Sequence, residues 1–292
     1  MAAGQQLLSL LMASQQFSVS GFLKLTRFWN LFIIALAQYG TAVFLISFDK
    51  LPDFRLLLLS LSTMIVAAGG YIINDYYDVK IDLINKPGRV VIGKDVARRY
   101  ALLFHSVLSV MGTVMGFFLN WEIGVINFFS AFLLWWYSNE LKRQPFIGNL
   151  VVALLTGLSV FLVNVLYPPY RPLIAIYSIF AFAMTLIREI VKDMEDQKGD
   201  NSFGCKTLPI IWGVRKAKLL VYWLMALLFV SVVYINQLYR QLPLFYFFIF
   251  LFVPLLFLFV RLVRADTKKD FYVLSQWCKV ILLLGIVSMV FV

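Results

Sequence analysis

Long apolar runs alternate along this chain with short segments that collect most of its charge. Leu56 to Gly70 and Leu244 to Val260 are almost continuously apolar, a pattern that suits helices and not the short alternating strands of a barrel. A helix needs roughly 20 such residues to cross a hydrocarbon core of about 30 Å. That requirement predicts about nine spans, near 28–48, 54–74, 100–119, 122–138, 147–166, 173–190, 217–236, 242–263 and 273–292, the fourth of them short. The expected fold is therefore all-α, a polytopic helical bundle in a membrane, with residues 1–292 forming one domain.

Composition supports the same class. The chain is 62% hydrophobic and 14% charged, too little polar surface to coat a soluble globule. Most of its 26 Lys and Arg residues fall in alternate connecting segments, around Lys80 to Arg99, Lys142 and Arg143, Arg188 to Lys218, and Arg261 to Lys269. The positive-inside tendency then predicts a multi-pass protein of the cell membrane, with a cytoplasmic N-terminus and an outer C-terminus. It also accounts for the net charge of +11 without any nucleic-acid partner. Leu7 to Met12 is a short apolar stretch with no basic residue before it, so the first span itself is expected to direct insertion.

Cys205 and Cys278 lie far apart without metal-ligand spacing, and His105 sits alone in an apolar span. All three read as packing residues. Trp29, Trp121, Trp135 and Trp136 fall near span ends and read as interfacial anchors.

The chemistry lies in two acidic segments. The second span ends in Asn74-Asp75-Tyr76-Tyr77-Asp78-Val79-Lys80-Ile81-Asp82. If the helix continues, Asn74, Asp78 and Asp82 fall at i, i+4 and i+8 on one face. The sixth span ends in Asp193-Met194-Glu195-Asp196-Gln197-Lys198-Gly199-Asp200, which puts Asp193, Asp196 and Asp200 at i, i+3 and i+7. Clustered carboxylates at a membrane boundary are costly unless a cation lies between them. An all-oxygen ligand set favours Mg²⁺ or Ca²⁺ over zinc, and Mg²⁺ commonly completes its shell with water and phosphate oxygens. Each cluster alone could be a solvated helix end balanced by nearby Lys and Arg. Two of them on the same side, each after a long span, point to a metal-assisted diphosphate site. Their recurrence also suggests two related four-helix halves with a ninth helix added.

These segments resemble the hallmarks of the UbiA-type intramembrane prenyltransferases, N-D-x-x-D-x-x-x-D and D-x-x-D-x-x-x-D, both complete here. Asn85-Lys86-Pro87-Gly88-Arg89 after the first motif and Lys206-Thr207-Leu208-Pro209 with Gly213 after the second agree as well. The chain departs from the family pattern in three places. Tyr137 to Lys142 is one residue longer than the usual Tyr-x-x-x-Lys, Val90 stands where Pro commonly follows Arg89, and the first-span element reads Arg27-Phe28-Trp29-Asn30.

The resemblance implies an enzyme in which an allylic diphosphate loses pyrophosphate and an acceptor captures the prenyl group. On that reading Asn74, Asp78, Asp82, Asp193, Asp196 and Asp200 would hold Mg²⁺, with Asp78, Asp82, Asp196 and Asp200 central to catalysis. Arg89, Lys142 and Lys192 would contact the diphosphate, and Arg27 and Asn30 a lipophilic or anionic acceptor. The prenyl tail would lie in the bundle or open toward membrane lipid. Asn85 to Lys94, with the segments around Tyr137 to Arg143 and Gly148-Asn149, resembles the geranylgeranylglycerol-phosphate geranylgeranyltransferase branch. An aromatic prenyltransferase of quinone biosynthesis is the alternative within the family. A divalent-cation transporter would also carry acids at helix ends, but here they cluster at one boundary with no acidic ring on the outer side. A CDP-alcohol phosphotransferase lacks support, because its Asp-Gly…Ala-Arg arrangement is missing.

Overall fold

The computed structural model describes residues 18–239 and 244–292, without the side chains of Arg89, Ile235, Tyr239, Leu244 and Phe247. Leu7 to Met12 therefore lies outside the described residues. These are folded as helices and connecting turns, with no strand among them. A short α1 (Val19–Leu25) precedes α2 (Phe28–Leu45), α3 (Phe54–Asn85), α4 (Arg98–Leu119), α5 (Trp121–Asn139), α6 (Ile147–Leu166) and α7 (Pro172–Ser202). A five-residue α8 (Leu208–Trp212) leads into α9 (Val214–Tyr239). The last elements are α10 (Leu244–Phe247), α11 (Val253–Val263) and α12 (Lys268–Ser288), with a π-turn at Phe248–Phe252 between α10 and α11.

A helix occupies each place where a span is expected. Seven of these helices are long and apolar enough to cross a membrane: α2, α3, α4, α6, α7, α9 and α12. The eighth expected span is a shorter apolar helix, Phe248–Val263, and the fourth is the 19-residue α5. The protein is an integral, multi-pass membrane protein. Its surface fits that solvent, since Phe118, Trp121, Trp223 and Phe245 are each 70% or more exposed. Such apolar exposure on several helices would be costly in water and is neutral in lipid.

The helix ends follow local chemistry. The Asp53 side chain accepts from the Arg55 backbone N–H at 2.8 Å to start α3, and Asn120 does the same for Ile123 at 2.7 Å in α5. Pro172 opens α7, where a missing N–H costs nothing. Pro254 has no N–H to offer the carbonyl one turn back, and the π-turn lies just before it.

Two helices dominate the interior. α3 packs against α2, α4 and α5, while α7 packs against α6, α9 and α12, and α3 and α7 touch each other. They are also the longest, at 32 and 31 residues. At 1.5 Å per residue each runs to about 48 Å, well beyond a 30 Å hydrocarbon core. Their last turns, which carry the acids, therefore project past the apolar layer at the same end of the bundle. Small residues let the helices approach: a Cβ on Gly112 of α4 would come within 2.6 Å of Val66 Cγ2 and 2.9 Å of the Ser62 carbonyl.

Candidate active site

The helical ladder of α3 continues without a break through Asn74 to Asn85, and that of α7 through Asp193 to Ser202. The acids of each motif thus recur on successive turns of one face, as the spacing predicts. The two faces border a common chamber of about 1060 Å³. Asn74, Asp78, Asp82, Asp193, Asp196 and Asp200 all line it, and so do Arg27, Asn30, Lys142 and Lys192. Of the site residues expected from the sequence, Arg89 has its side chain outside the described residues.

Cations and amides hold these carboxylates apart. Lys142, on the turn after α5, pairs with Asp78. Lys86 meets Asp196 Oδ2 at 2.7 Å and Glu195 Oε1 at 3.3 Å. The Asn149 amide donates to Asp193 Oδ2 at 2.9 Å. Arg27, in a left-handed backbone conformation (φ 52°) at the start of α2, meets Asp75 Oδ1 at 2.5 Å with its guanidinium over the Tyr71 ring. Arg188 and Lys192 both pair with Glu189, at 2.5 and 3.2 Å.

The electrostatics is that of acids crowded in a partly dry site. Burial, reinforced by Asp78 and Asp75, pushes the Asp82 carboxyl up to about 6. Burial, then Asp196 on its own helix and Asp78 on the other, pushes Asp200 up to about 7. Asp193 is raised to about 8, chiefly by burial and against the help of Asn149. Glu189 holds Lys192 above the usual lysine range, whereas burial pulls Lys142 below it despite Asp78. Asp78 of one motif and Asp200 of the other border the same chamber.

These residues fit a hard divalent ion. Their donors are all oxygen, they repel each other, and the buried Asp196 Oδ1 has no hydrogen-bond partner. Among the described residues, no three acidic, His or Cys side chains close around one point as a ready-made ion cage. An ion held here by one or two carboxylates would need further oxygens from water or phosphate, which is the habit of Mg²⁺ rather than of a protein-enclosed Ca²⁺.

Deeper in the bundle, a second pocket of about 240 Å³ shares the wall residues Arg27, Asn74, Tyr137, Arg188 and Lys192 with the chamber. Ile33, Val66, Leu134, Leu155 and Leu158 make much of its lining. An anionic head and an apolar tail can thus be accommodated in adjoining spaces.

Several residues at the site were not assigned to it from the sequence. Lys279 borders both spaces, and a lone lysine within an apolar span is itself a signal of a polar interior. Asn85, Lys86 and Asn149 stand beside the motifs in the sequence, but their partners lie 44 to 114 positions away. Cys205 and Cys278 are both buried and neither is in a disulfide, and Cys205 also borders the chamber. His105 packs as expected, with Nδ1 at 3.1 Å from the Gly69 carbonyl.

The sequence pattern of the UbiA prenyltransferase family matches residues 28–280. Digeranylgeranylglyceryl phosphate synthase of Methanosphaera stadtmanae is 33% identical over 238 residues, covering 81% of this chain and 87% of that one. The synthase of Saccharolobus solfataricus is 36% identical over 216 residues, 73% of this chain and 76% of the other. A solved structure of digeranylgeranylglyceryl phosphate synthase superposes with a TM-score of 0.71 at 26% identity, covering 94% of this chain and 99% of that one. A UbiA homolog from Archaeoglobus fulgidus, solved with GPP and Mg²⁺, shares the fold at 14% identity with a TM-score of 0.63, covering 93% of this chain and 100% of its own.

Proposed function

The chain belongs to the UbiA prenyltransferase family, and on that premise we propose that it transfers geranylgeranyl from its diphosphate to geranylgeranylglycerol phosphate in a Mg²⁺-dependent reaction. The enzyme is a prenyltransferase. The acceptor is inferred from relatives named for a glyceryl phosphate bearing two geranylgeranyl groups, since the last such group must be added to the compound that bears one. The observation that carries the reading is the pair of facing carboxylate clusters on one chamber, joined to an apolar pocket through a cation-rich wall.

In this reading Asn74, Asp78, Asp82, Asp193, Asp196 and Asp200 hold the metal. Bound Mg²⁺ supplies charge neutralisation for the departing pyrophosphate. Lys142, now on Asp78, and Lys86, now on Asp196, lie where they can turn to phosphate oxygens and donate charge-assisted hydrogen bonds. The bond between C1 of the allylic chain and the diphosphate oxygen breaks with its electron pair on the leaving group. The acceptor hydroxyl oxygen then bonds to C1 and its O–H proton passes to the released pyrophosphate. Leu134, Leu155 and Leu158 exclude water from the prenyl chain, Arg27 and Asn30 offer the anionic acceptor a cationic and an amide donor, and Lys192 stands with Lys142 and Lys86 on the diphosphate chamber. The acid-bearing end faces the cytoplasm, because the basic connecting segments lie there, and residues 1–292 act as one domain.

Incubating the purified protein with Mg²⁺, geranylgeranyl diphosphate and either geranylgeranylglycerol phosphate or aromatic acids, with product mass as the readout, separates the acceptor classes. The expected product carries two geranylgeranyl groups on glycerol phosphate. A prenylated aromatic acid as the sole product would replace this acceptor with the quinone-type alternative.

A further inference from the structure

We propose that Asn85 and Gly199 form a clamp that fixes the distance between the two acidic motifs, and that this distance sets the affinity for metal and diphosphate; the inference rests on the metal-diphosphate reading above. Asn85 is the last residue of α3 and is 7% exposed. Both ends of its amide are spent on α7. Oδ1 accepts from the Gly199 backbone N–H at 2.9 Å, and Nδ2 donates to the Asp196 carbonyl at 2.9 Å. One side chain therefore grips α7 within the turn that separates Asp196 from Asp200.

The grip requires glycine. A Cβ at position 199 would meet Asn85 Cγ and Nδ2 at 2.5 Å and Oδ1 at 2.6 Å, closer than such atoms can come, so any other residue would push the amide out. The clamp is braced from two further directions. The Asn85 carbonyl accepts from Lys268 Nζ at 2.8 Å, which ties it to the first turn of α12. Lys86 reaches the Asp196 carboxylate at 2.7 Å. In the metal-free protein the last residue of α3 and the residue after it thus hold both the backbone and the side chain of a candidate ligand on α7.

The need for such a device follows from helix length. The motif turns project beyond the apolar layer as the ends of two long rods, and a small tilt of either would change the gap between them. Mg²⁺ tolerates little of that, because its oxygen ligands sit at about 2.0–2.1 Å in near-octahedral order. Asn85 touches no reacting atom in this scheme and is a positioning residue.

Thermal unfolding of the full chain in detergent, titrated with Mg²⁺ at fixed inorganic pyrophosphate, reads metal affinity without turnover. Gly199→Ala and Asn85→Ala are each expected to raise the half-maximal Mg²⁺ concentration by about tenfold or more. In the double variant the added methyl no longer meets the amide, so its midpoint should be no worse than that of Asn85→Ala alone. Asn85→Asp keeps the acceptor for Gly199 but loses the donor to Asp196, and it carries the same expectation should Gly199→Ala fail to fold. Midpoints within about twofold of wild type, or penalties that multiply in the double variant, would overturn the clamp. A lower melting temperature with an unchanged Mg²⁺ midpoint would also overturn it, leaving ordinary packing. If the wild-type protein itself gained nothing from Mg²⁺ and pyrophosphate, the metal reading would fall, and the clamp with it.

Discussion

At the scale of single residues, folding has made three carboxylates of the site, Asp82, Asp193 and Asp200, reluctant to ionise. An unfolded Asp releases its proton near pH 4, whereas Asp82 and Asp200 hold theirs up to about 6 and 7. Between those values the folded, metal-free protein binds more protons than the unfolded chain, so its stability falls as pH rises through that window. Metal binding requires the ionised forms and should strengthen over the same range. The stabilisation conferred by Mg²⁺ is therefore expected to be larger at about pH 8 than at about pH 5. Melting temperatures with and without the ion at the two pH values test this, and an equal gain at both would argue against these carboxylates as ligands.

Residue chemistry was legible in the sequence where it repeats along one helix. Asn74, Asp78 and Asp82 declare a face by spacing alone, as do Asp193, Asp196 and Asp200. Asn85 and Asn149 do not. A single amide at a helix end reads as a cap or a solvated side chain, and only the fold brings it to a partner on a distant helix. Lys279 gave a weak signal as a charge within an apolar span.

At the scale of elements, hydropathy located the spans but not the helix ends. The apolar signal of α3 fades near position 74 and that of α7 near 190, yet the helices run on to Asn85 and Ser202. The backbone ladder needs no apolar side chains to continue, so the membrane boundary and the helix boundary separate. This separation is what lifts the acids out of the hydrocarbon while keeping them on rigid supports. Between the helices, close packing depends on small residues. Gly112→Ala places a methyl against Val66 and the Ser62 carbonyl, at an expected cost of about 1–3 kcal/mol. Denaturation in detergent should show that loss. The half-maximal Mg²⁺ concentration should stay unchanged, because Gly112, Val66 and Ser62 do not border the chamber.

At the scale of the whole molecule, two motifs more than 100 positions apart become one site because α3 and α7 lie side by side at the centre of the bundle. The sequence made the shared membrane side readable through the charge of the connecting segments. Which helices adjoin was not readable from periodicity, since helices that are apolar on most faces give little sign of a preferred neighbour. The chamber and its apolar extension depend on that adjacency, and so does the proposed division of labour between diphosphate, prenyl chain and acceptor.

The most direct measurement is pyrophosphate release from geranylgeranyl diphosphate, in the presence of geranylgeranylglycerol phosphate, as a function of Mg²⁺. Wild type is to be compared with Asp78→Asn from one motif and Asp196→Asn from the other. Release is expected to need both acceptor and metal, to stop on chelation, and to drop by at least about 100-fold in either variant, with the folded protein still in the membrane. Near-normal release by both variants, or release indifferent to chelation, would contradict a metal-diphosphate site shared by the two motifs.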